Sequence, residues 1–477
     1  MAAAIGWSYD LLTPQLQSAL KRLSVFSGGF TLEAAGAVTG APGHITVTVA
    51  ALAERSLIVA DRSAHADQAG RPPVRYRMLE TIRQYCAERI ADDDGPDGEQ
   101  ADRDAHSRFF GGLAQRASAA LTGWQQGHWL TTLEADHANL VATINHLLTR
   151  PSRAGEALRM IVHLDRFWHN RGHLAECATL LYRGLAASGQ DVSPAVRCGA
   201  LNLAGQATVG YDVQAARSYF TGSLDIARSA RDYFDAARAL WGLSFAGYYT
   251  GDMEKGSAAA KAAVDLARAM GDPVLLGECL VAYGLVSDPM ERKAIYQEAL
   301  AVTRRSGDRV YTGWAHNNLG DSFLTEDDLE AARQHLEQAR MILGEVGAPT
   351  LLPVVNLGWV HLRQGDLDGA DGAFIEALRG FELLRLRRDA SVVILGLACT
   401  AAAQRDWERA ARLLGFADGE LQHCGASWSD PERTYREQSL TNMERQLNAE
   451  FDRHYDSGRA GDRGDLIDYA LSQRQIP

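Results

Sequence analysis

Three histidines, His163, His169 and His173, lie close together in the chain. Imidazole nitrogens are common metal ligands, and His169 and His173, four residues apart, would share a face if the segment were helical. Gly172 suggests a turn between the two, so no metal site is expected. His423-Cys424 fits packing better than nucleophilic catalysis, and Asp92 to Asp94 fit a solvated charge run better than an acid–base pair. The chain holds no G-x-x-x-x-G-K-[ST] phosphate loop, no G-x-S-x-G, no H-E-x-x-H and no glycine-rich dinucleotide loop. Neither a catalytic residue nor a cofactor is therefore assigned, and no sequence feature favours an enzyme.

A second set of residues suits binding rather than reaction. Trp241, Phe245 and Tyr248, at spacings of four and three, fall on one helical face. Trp314, Asn317, Asp321 and Leu324 occupy similar positions further on, as do Val355, Trp359 and Leu362. Rings in such a row offer contact area for peptide side chains or sugars. Ordinary packing between neighbouring helices would use the same residues, and both readings stand.

The elements that must carry these rings repeat. Residues 318–340 (NLGDSFLTEDDLEAARQHLEQAR) and 356–378 (NLGWVHLRQGDLDGADGAFIEAL) share one pattern, with Gly320 and Gly358 offset by 38 residues. Each glycine would let a second helix approach closely. Ala332 and Ala370 would sit at the crossing, Leu336 and Phe374 would fill the gap, and Ala339 and Ala377 would admit the next unit. Gly365-Asp366 supplies a turn, with Gly free to take positive φ and Asp able to cap the next helix. This spacing resembles the tetratricopeptide repeat. Weaker copies follow Gly172-His173, Tyr211-Asp212, Gly251-Asp252 and Arg405-Asp406, and Tyr296, Ala299 and Leu300 fit a second helix after the irregular turn SDPMER. About seven units of ~36–40 residues result, a helical solenoid whose first helices line an inner groove. That groove, aromatic and poor in charge, is the expected site for a peptide or small inducer.

At 477 residues more than one domain is expected, and 46% hydrophobic content supports folded cores. A net charge of −12 argues against general binding to nucleic acid or anionic membranes. Six cysteines without a C-x-x-C pair point to reduced thiols in a cytoplasmic protein. No apolar run reaches the ~18–20 residues of a membrane span.

Residues 1–90 are not repetitive. Thr13-Pro14 starts a helix lined by Leu16, Leu20, Leu23 and Phe26, and Gly28-Gly29 ends it. Helices follow at 31–38 and 45–54, then a two-stranded hairpin from Leu57-Ile58-Val59 to 74–78, and a last helix at 79–90. Three helices and a two-stranded wing give winged-helix order. The fold class is thus mostly α, a winged-helix domain (1–90), an acidic linker (91–100), tetratricopeptide-like repeats (101–440) and capping helices (441–477).

The segments IGWSYDLL, LSVFSGGFTLEAA, LAERSLIV and RYRMLETIRQYCAERI resemble the winged helix of STAND-type bacterial regulatory ATPases, among them actinobacterial LuxR-like and SARP-like regulators. WLTTLEADHANLVATINHLL and LDRFWHNRGHLAECATLLYRGL resemble the start of that family's repeat domain, and the last stretch its end. The resemblance implies an ATPase domain before the winged helix and, in LuxR-like members, a helix-turn-helix after the repeats. This sequence contains neither, so it is expected to be the middle and sensor part of a regulator, truncated or split. Its partner would be an ATPase or DNA-binding subunit, with nucleic acid engaged only indirectly or weakly and no membrane. Arg75, Arg77 and Arg83 cluster on the expected wing and last helix, where they would contact a neighbouring domain or DNA. The third helix, ITVTVAALAERS, offers little to phosphates or guanine edges. A non-enzymatic regulatory module is the favoured function, and a transcription regulator binding DNA through its winged helix is the alternative.

Overall fold

The computed structural model describes residues 2–61, 74–93, 95–189 and 192–472, and these form two compact units. The first comprises Met1–Leu121, His128–Phe167 and Arg183–Asp191, and the second Thr122–Gly127, Trp168–Tyr182 and Val192–Pro477. No helix among the described residues is long and apolar enough to cross a membrane.

The first unit opens with α1 (Ala2–Asp10), α2 (Pro14–Leu23), β1 (Gly29–Thr31), α3 (Leu32–Thr39), α4 (Ile45–Glu54), β2 (Ile58–Asp61), β3 (Arg75–Met78) and α5 (Glu80–Asp93). Thr13 caps α2, its hydroxyl accepting from the Leu16 amide, and Pro14 occupies the first turn, where its missing N–H costs nothing. Leu20, Leu23 and Phe26 face the core, as do Ile45, Val49 and Leu52 of α4. The wing is a three-stranded antiparallel sheet of order β1-β3-β2, with Phe30 opposite Tyr76 and Ala60 opposite Tyr76 on the other side. A two-stranded wing was expected. Gly-Phe-Thr is too short to show a period, and β1 forms because Phe30 is fully buried and stacks on Phe26 at 4.7 Å.

Next come α6 (Gly95–Ala120), α7 (Gln126–Ala135), α8 (His137–Leu148), α9 (Ala154–His163), α10 (Asp165–Asn170) and α11 (Leu174–Ala187). The expected linker at 91–100 is instead taken up by the end of α5 and the start of α6. Gly-Pro breaks helices in their interior, but here Pro96 falls in the first turn of α6. The winged-helix segment shares its core with α6, since Phe26 meets His106 at 5.2 Å and Phe110 at 6.2 Å.

The second unit is built mainly of antiparallel pairs: α12 (Pro194–Thr208) with α13 (Val213–Ala230), α14 (Tyr233–Thr250) with α15 (Met253–Met270), and α16 (Pro273–Val286) with α17 (Pro289–Ser306). Then follow α18 (Arg309–Thr325) with α19 (Leu329–Glu345), α20 (Leu351–Gln364) with α21 (Leu367–Leu384), and α22 (Arg387–Ala403) with α23 (Trp407–His423). The turns reuse one device. A residue at positive φ (Gly251, Asp327, Gly365, Arg405) precedes an aspartate (Asp252, Asp328, Asp366, Asp406) whose carboxylate accepts from the amide three residues on. Glycine is thus optional at this place, which explains why the outer copies looked weaker.

Inside each pair, small residues admit large ones. A Cβ at Gly358 would come within 2.8 Å of the Phe374 ring, and one at Gly396 within 2.6 Å, so a single ring joins three helices. Phe220 sits likewise between Gly205 and Gly242. Each fully buried ring contributes about 2–3 kcal/mol.

The array curls until early turns meet late ones. The Arg388 amide donates to the Gly210 carbonyl at 3.4 Å, and Arg171 Nη1 donates to the Gly347 carbonyl at 3.0 Å. The chain ends with α24 (Asp430–Leu447), α25 (Phe451–Ala460) and α26 (Arg463–Leu471). Gly415 and Gly458 let α25 press its backbone onto α23. The sequence puts capping helices from 441, but α24 starts eleven residues earlier, on the strong N-terminal signal Ser429-Asp430-Pro431-Glu432.

Candidate functional site

The first helices of the pairs, α14, α18, α20 and α22, present side chains toward one common inner face. On α14, Trp241 packs on Phe245 at 4.8 Å, Phe245 meets Tyr249 at 6.4 Å, and Tyr248 meets Tyr249 at 5.5 Å. All four are half-buried, and the indole Nε1 of Trp241 is buried without a hydrogen-bond partner among the described residues. On α18, Trp314 packs against the apolar cores to either side of it. Asn317 is buried in an amide chain: Asn356 donates to it at 3.2 Å, and it donates to Asn318 at 2.9 Å. Asp321 is half-buried, and burial first, then the Glu432 carboxylate, pushes its pKa up to about 6 against the pull of Arg292.

Two expectations fail here. Leu324, Val355 and Trp359 do not line an open groove; they are buried, and Trp359 lies flat under Tyr435 of α24 at 4.3 Å and 10°. Nor is the face poor in charge. Arg388 is buried on α22 and forms a two-pronged ion pair with Glu432 of α24, at 2.8 and 3.1 Å. Burial is the largest single influence and works against the Arg388 charge, but Glu432, Tyr248, Asp389 and Tyr249 together outweigh it and hold the guanidinium protonated. Asp389 beside it is pushed up to about 6 by burial, and Tyr248 up to about 12. Arg388, Asp389, Glu432 and Tyr435 carry no repeat signal that marks them in the sequence on its own. Extending the offset one step from Gly358 to Gly396 would have put Arg388-Asp389 on the inner face.

The first half of α24 covers this face. The connector leading into it runs to the end of α14, where the Ser427 amide donates to the Tyr249 carbonyl at 2.7 Å. Arg363 donates to the Tyr435 hydroxyl at 3.1 Å. Trp428 Nε1 and Arg436 both donate to Asp418 of α23.

In the first unit the structure does not gather the three arginines into one patch. Arg75 leaves the wing to pair with Asp136 at the head of α8, at 2.5 and 3.2 Å, and also donates to the Gly29 and Ala135 carbonyls. Asn139 completes the joint, accepting from the Ser27 amide at 2.9 Å and donating to Gly29 at 2.8 Å. Arg77 is exposed, and Arg83 pairs with Glu80 on its own helix. Arg83 also borders a cavity of about 60 Å³ with Arg103, Asp102, His106 and His146. The outward face of α4 presents Thr46, Val47, Ala50 and Glu54, while Arg55 turns its guanidinium back to the Ala51 carbonyl. Thiol chemistry is not favoured either: all six cysteines are buried, and burial lifts Cys86 and Cys399 to about 12.

Comparison with known proteins agrees with this architecture. The winged helix-turn-helix domain family matches residues 12–91, and a tetratricopeptide repeat family matches residues 293–343. "Putative HTH-type transcriptional regulator Rv0890c" of Mycobacterium tuberculosis is 27% identical over 343 residues, covering 58% of this chain and 36% of its own length. "Uncharacterized protein Rv0894" of the same species is 34% identical over 98 residues, covering 19% of this chain and 23% of its own. The chain thus spans about a third of the first of these relatives or less. Among solved structures, a Rap protein complexed with Competence and Sporulation Factor superposes with a TM-score of 0.51 at 12% identity, over 76% of this chain and 98% of its own. A STAND protein with a tetratricopeptide repeat sensor from Pyrococcus horikoshii gives 0.42 at 14% identity, over 93% of this chain and 66% of its own. The comparisons thus support a winged helix-turn-helix segment followed by tetratricopeptide repeats.

Proposed function

We propose that the chain is the sensor part of a transcriptional regulator and performs no chemistry of its own. The repeat array takes a peptide, partner protein or small inducer on its inner face, and the winged helix packs against a protein domain, of the ATPase kind that the sequence resemblance implies. The observation that carries the first part is the row Trp241, Phe245, Tyr248 and Tyr249, half-buried on one face, with an indole N–H left without a partner. A buried donor in that state costs free energy until a ligand acceptor meets it. The Rap protein, complexed with its factor, offers a precedent for such an array holding a ligand.

For the winged helix, the outer face of α4 favours a protein neighbour over DNA. A reader helix needs cations or amides toward bases and phosphates. Here the face holds Val47, 72% exposed, with Ala50 and Glu54. The same segment leaves Trp7, Leu11, Val74 and Leu79 exposed, as suits a protein neighbour.

The test is a ligand screen by thermal shift, followed by titration of any hit into the chain carrying Trp241→Ala and Tyr248→Ala. Binding should be lost while helicity is kept. Unchanged affinity would remove the aromatic row from the site. Salt-dependent binding of this chain to duplex DNA would favour the alternative reading of the winged helix.

A further inference from the structure

Helix α24 is an odd member of its unit. Among the described residues of its first two turns the buried side chain is a glutamate, Glu432. Its only buried apolar residue, Met443, lies in its second half. Polar and aromatic contacts hold the first half: Glu432 on Arg388, Tyr435 on Trp359 and Arg363, Trp428 and Arg436 on Asp418. A buried ion pair brings little net stability, because desolvating both charges offsets most of their attraction. Glu432 also accepts from the Ser429 amide at 2.8 Å, so the contact that seats the helix is the one that caps it. Losing Glu432 from Arg388 therefore unseats and frays the same turn. What the covered face offers is specific: a guanidinium for a carboxylate and, on α20, an indole face for a ring.

We propose that the first half of α24 is a built-in occupant of the inner face, and that the ligand displacing it is a peptide segment presenting a carboxylate and an aromatic ring one helical turn apart, to replace Glu432 on Arg388 and Tyr435 on Trp359. This rests on the reading of the inner face as a ligand site and adds the ligand's class and its competitor. The ligand takes over contacts the chain already makes to itself, so it spends its binding free energy on displacement as well as affinity. Binding thereby moves the connector at Ser427 away from Tyr249 on α14.

Hydrogen exchange on the whole chain tests the seat, and a fluorescein-labelled peptide of residues 427–447, supplied in trans, tests the ligand class. Amides of residues 432–438 should exchange about tenfold or more faster than those of α22 and α23, as a local opening requires. Glu432→Gln should raise that rate about tenfold again and leave α22 and α23 unchanged. The labelled peptide should bind the Glu432→Gln chain about tenfold tighter than the unaltered chain, and Arg388→Met should abolish its binding. If α24 exchanges only together with α22 and α23, it is a fixed part of the core and the proposal falls. The unaltered chain decides this even if a variant does not fold, and the groove reading then still stands or falls on Trp241 and Tyr248. If α24 opens but the peptide does not bind, or binds without need of Arg388, the assigned ligand class is overturned.

Discussion

Replacing Arg75 by methionine keeps the stem of the side chain and deletes its guanidinium. The pair it forms with Asp136 is well enclosed, with 12% and 7% of the two side chains exposed. Four hydrogen bonds end on that guanidinium: two to Asp136 and one each to Gly29 and Ala135. Removing one partner of a buried pair typically costs about 3–5 kcal/mol, because the other charge stays behind. Asp136 is not left bare: Asn139 Nδ2 still donates to it at 3.2 Å, and it sits at the N-terminus of α8. Those two returns are worth about 1 kcal/mol, leaving a loss of about 2–4 kcal/mol. For a unit of this size that lowers the melting temperature by about 5–15 °C. Amide exchange of Gly29–Thr31 and α8 reads the loss locally, and thermal melts read it globally. Arg75→Met with Asp136→Leu should recover at least about 1.5 kcal/mol of the summed single losses. A single-variant loss below about 1 kcal/mol, or strictly additive losses, would refute the view that this pair welds the wing to α8.

Burial holds His106 down to about 4 from 6.5, so its stabilising effect is complete above pH 6.5 and is lost as pH falls toward 4. The loss should approach about 3 kcal/mol in the first unit, and His106→Gln should flatten it in melts at pH 7 and pH 4.5. Asp321 has the opposite sign: with its pKa raised to about 6, its contribution is full below 3.8 and lost as pH rises through 6. Asp321→Asn should therefore raise stability at pH 7.5 by about 1–2 kcal/mol, allowing for its partial access to water, and change little at pH 4, by denaturant titration. Gly358→Ala, which sets a Cβ 2.8 Å from the Phe374 ring, should cost about 1–3 kcal/mol by the same titration. Gly365→Ala, at φ +78 with nothing within 4 Å, should cost only about 1 kcal/mol.

Much of the repeat array was legible because its rules are local. A glycine, an alanine twelve residues on and a large apolar residue four beyond that recur where paired helices cross closely, and Gly358, Ala370 and Phe374 do so in space as in sequence. The turn was legible in part: Gly365-Asp366 gave its chemistry, but Asp327 and Arg405 adopt the same left-handed conformation without advertising it. Strand β1 was hidden because three residues carry no period and depend on a partner 46 positions away in register. The 91–100 stretch misled because a Gly-Pro pair ends one helix and opens another with equal ease. Aromatic positions on α14 could be placed from spacing alone. Their covering by α24 could not, since that helix is polar, follows no repeat, and finds its place only after the array has curved.

That curvature has a mechanical consequence. An open solenoid behaves as a chain of neighbours and, stretched by its ends, yields one unit after another. In the second unit, bonds such as Arg171 to Gly347 and Ser427 to Thr250 span 176 and 177 positions of sequence. They turn the spring into a hoop. Force applied at the two ends is shared around the ring instead of being spent on the outermost pair, so the unit should let go in one abrupt event and not in a staircase.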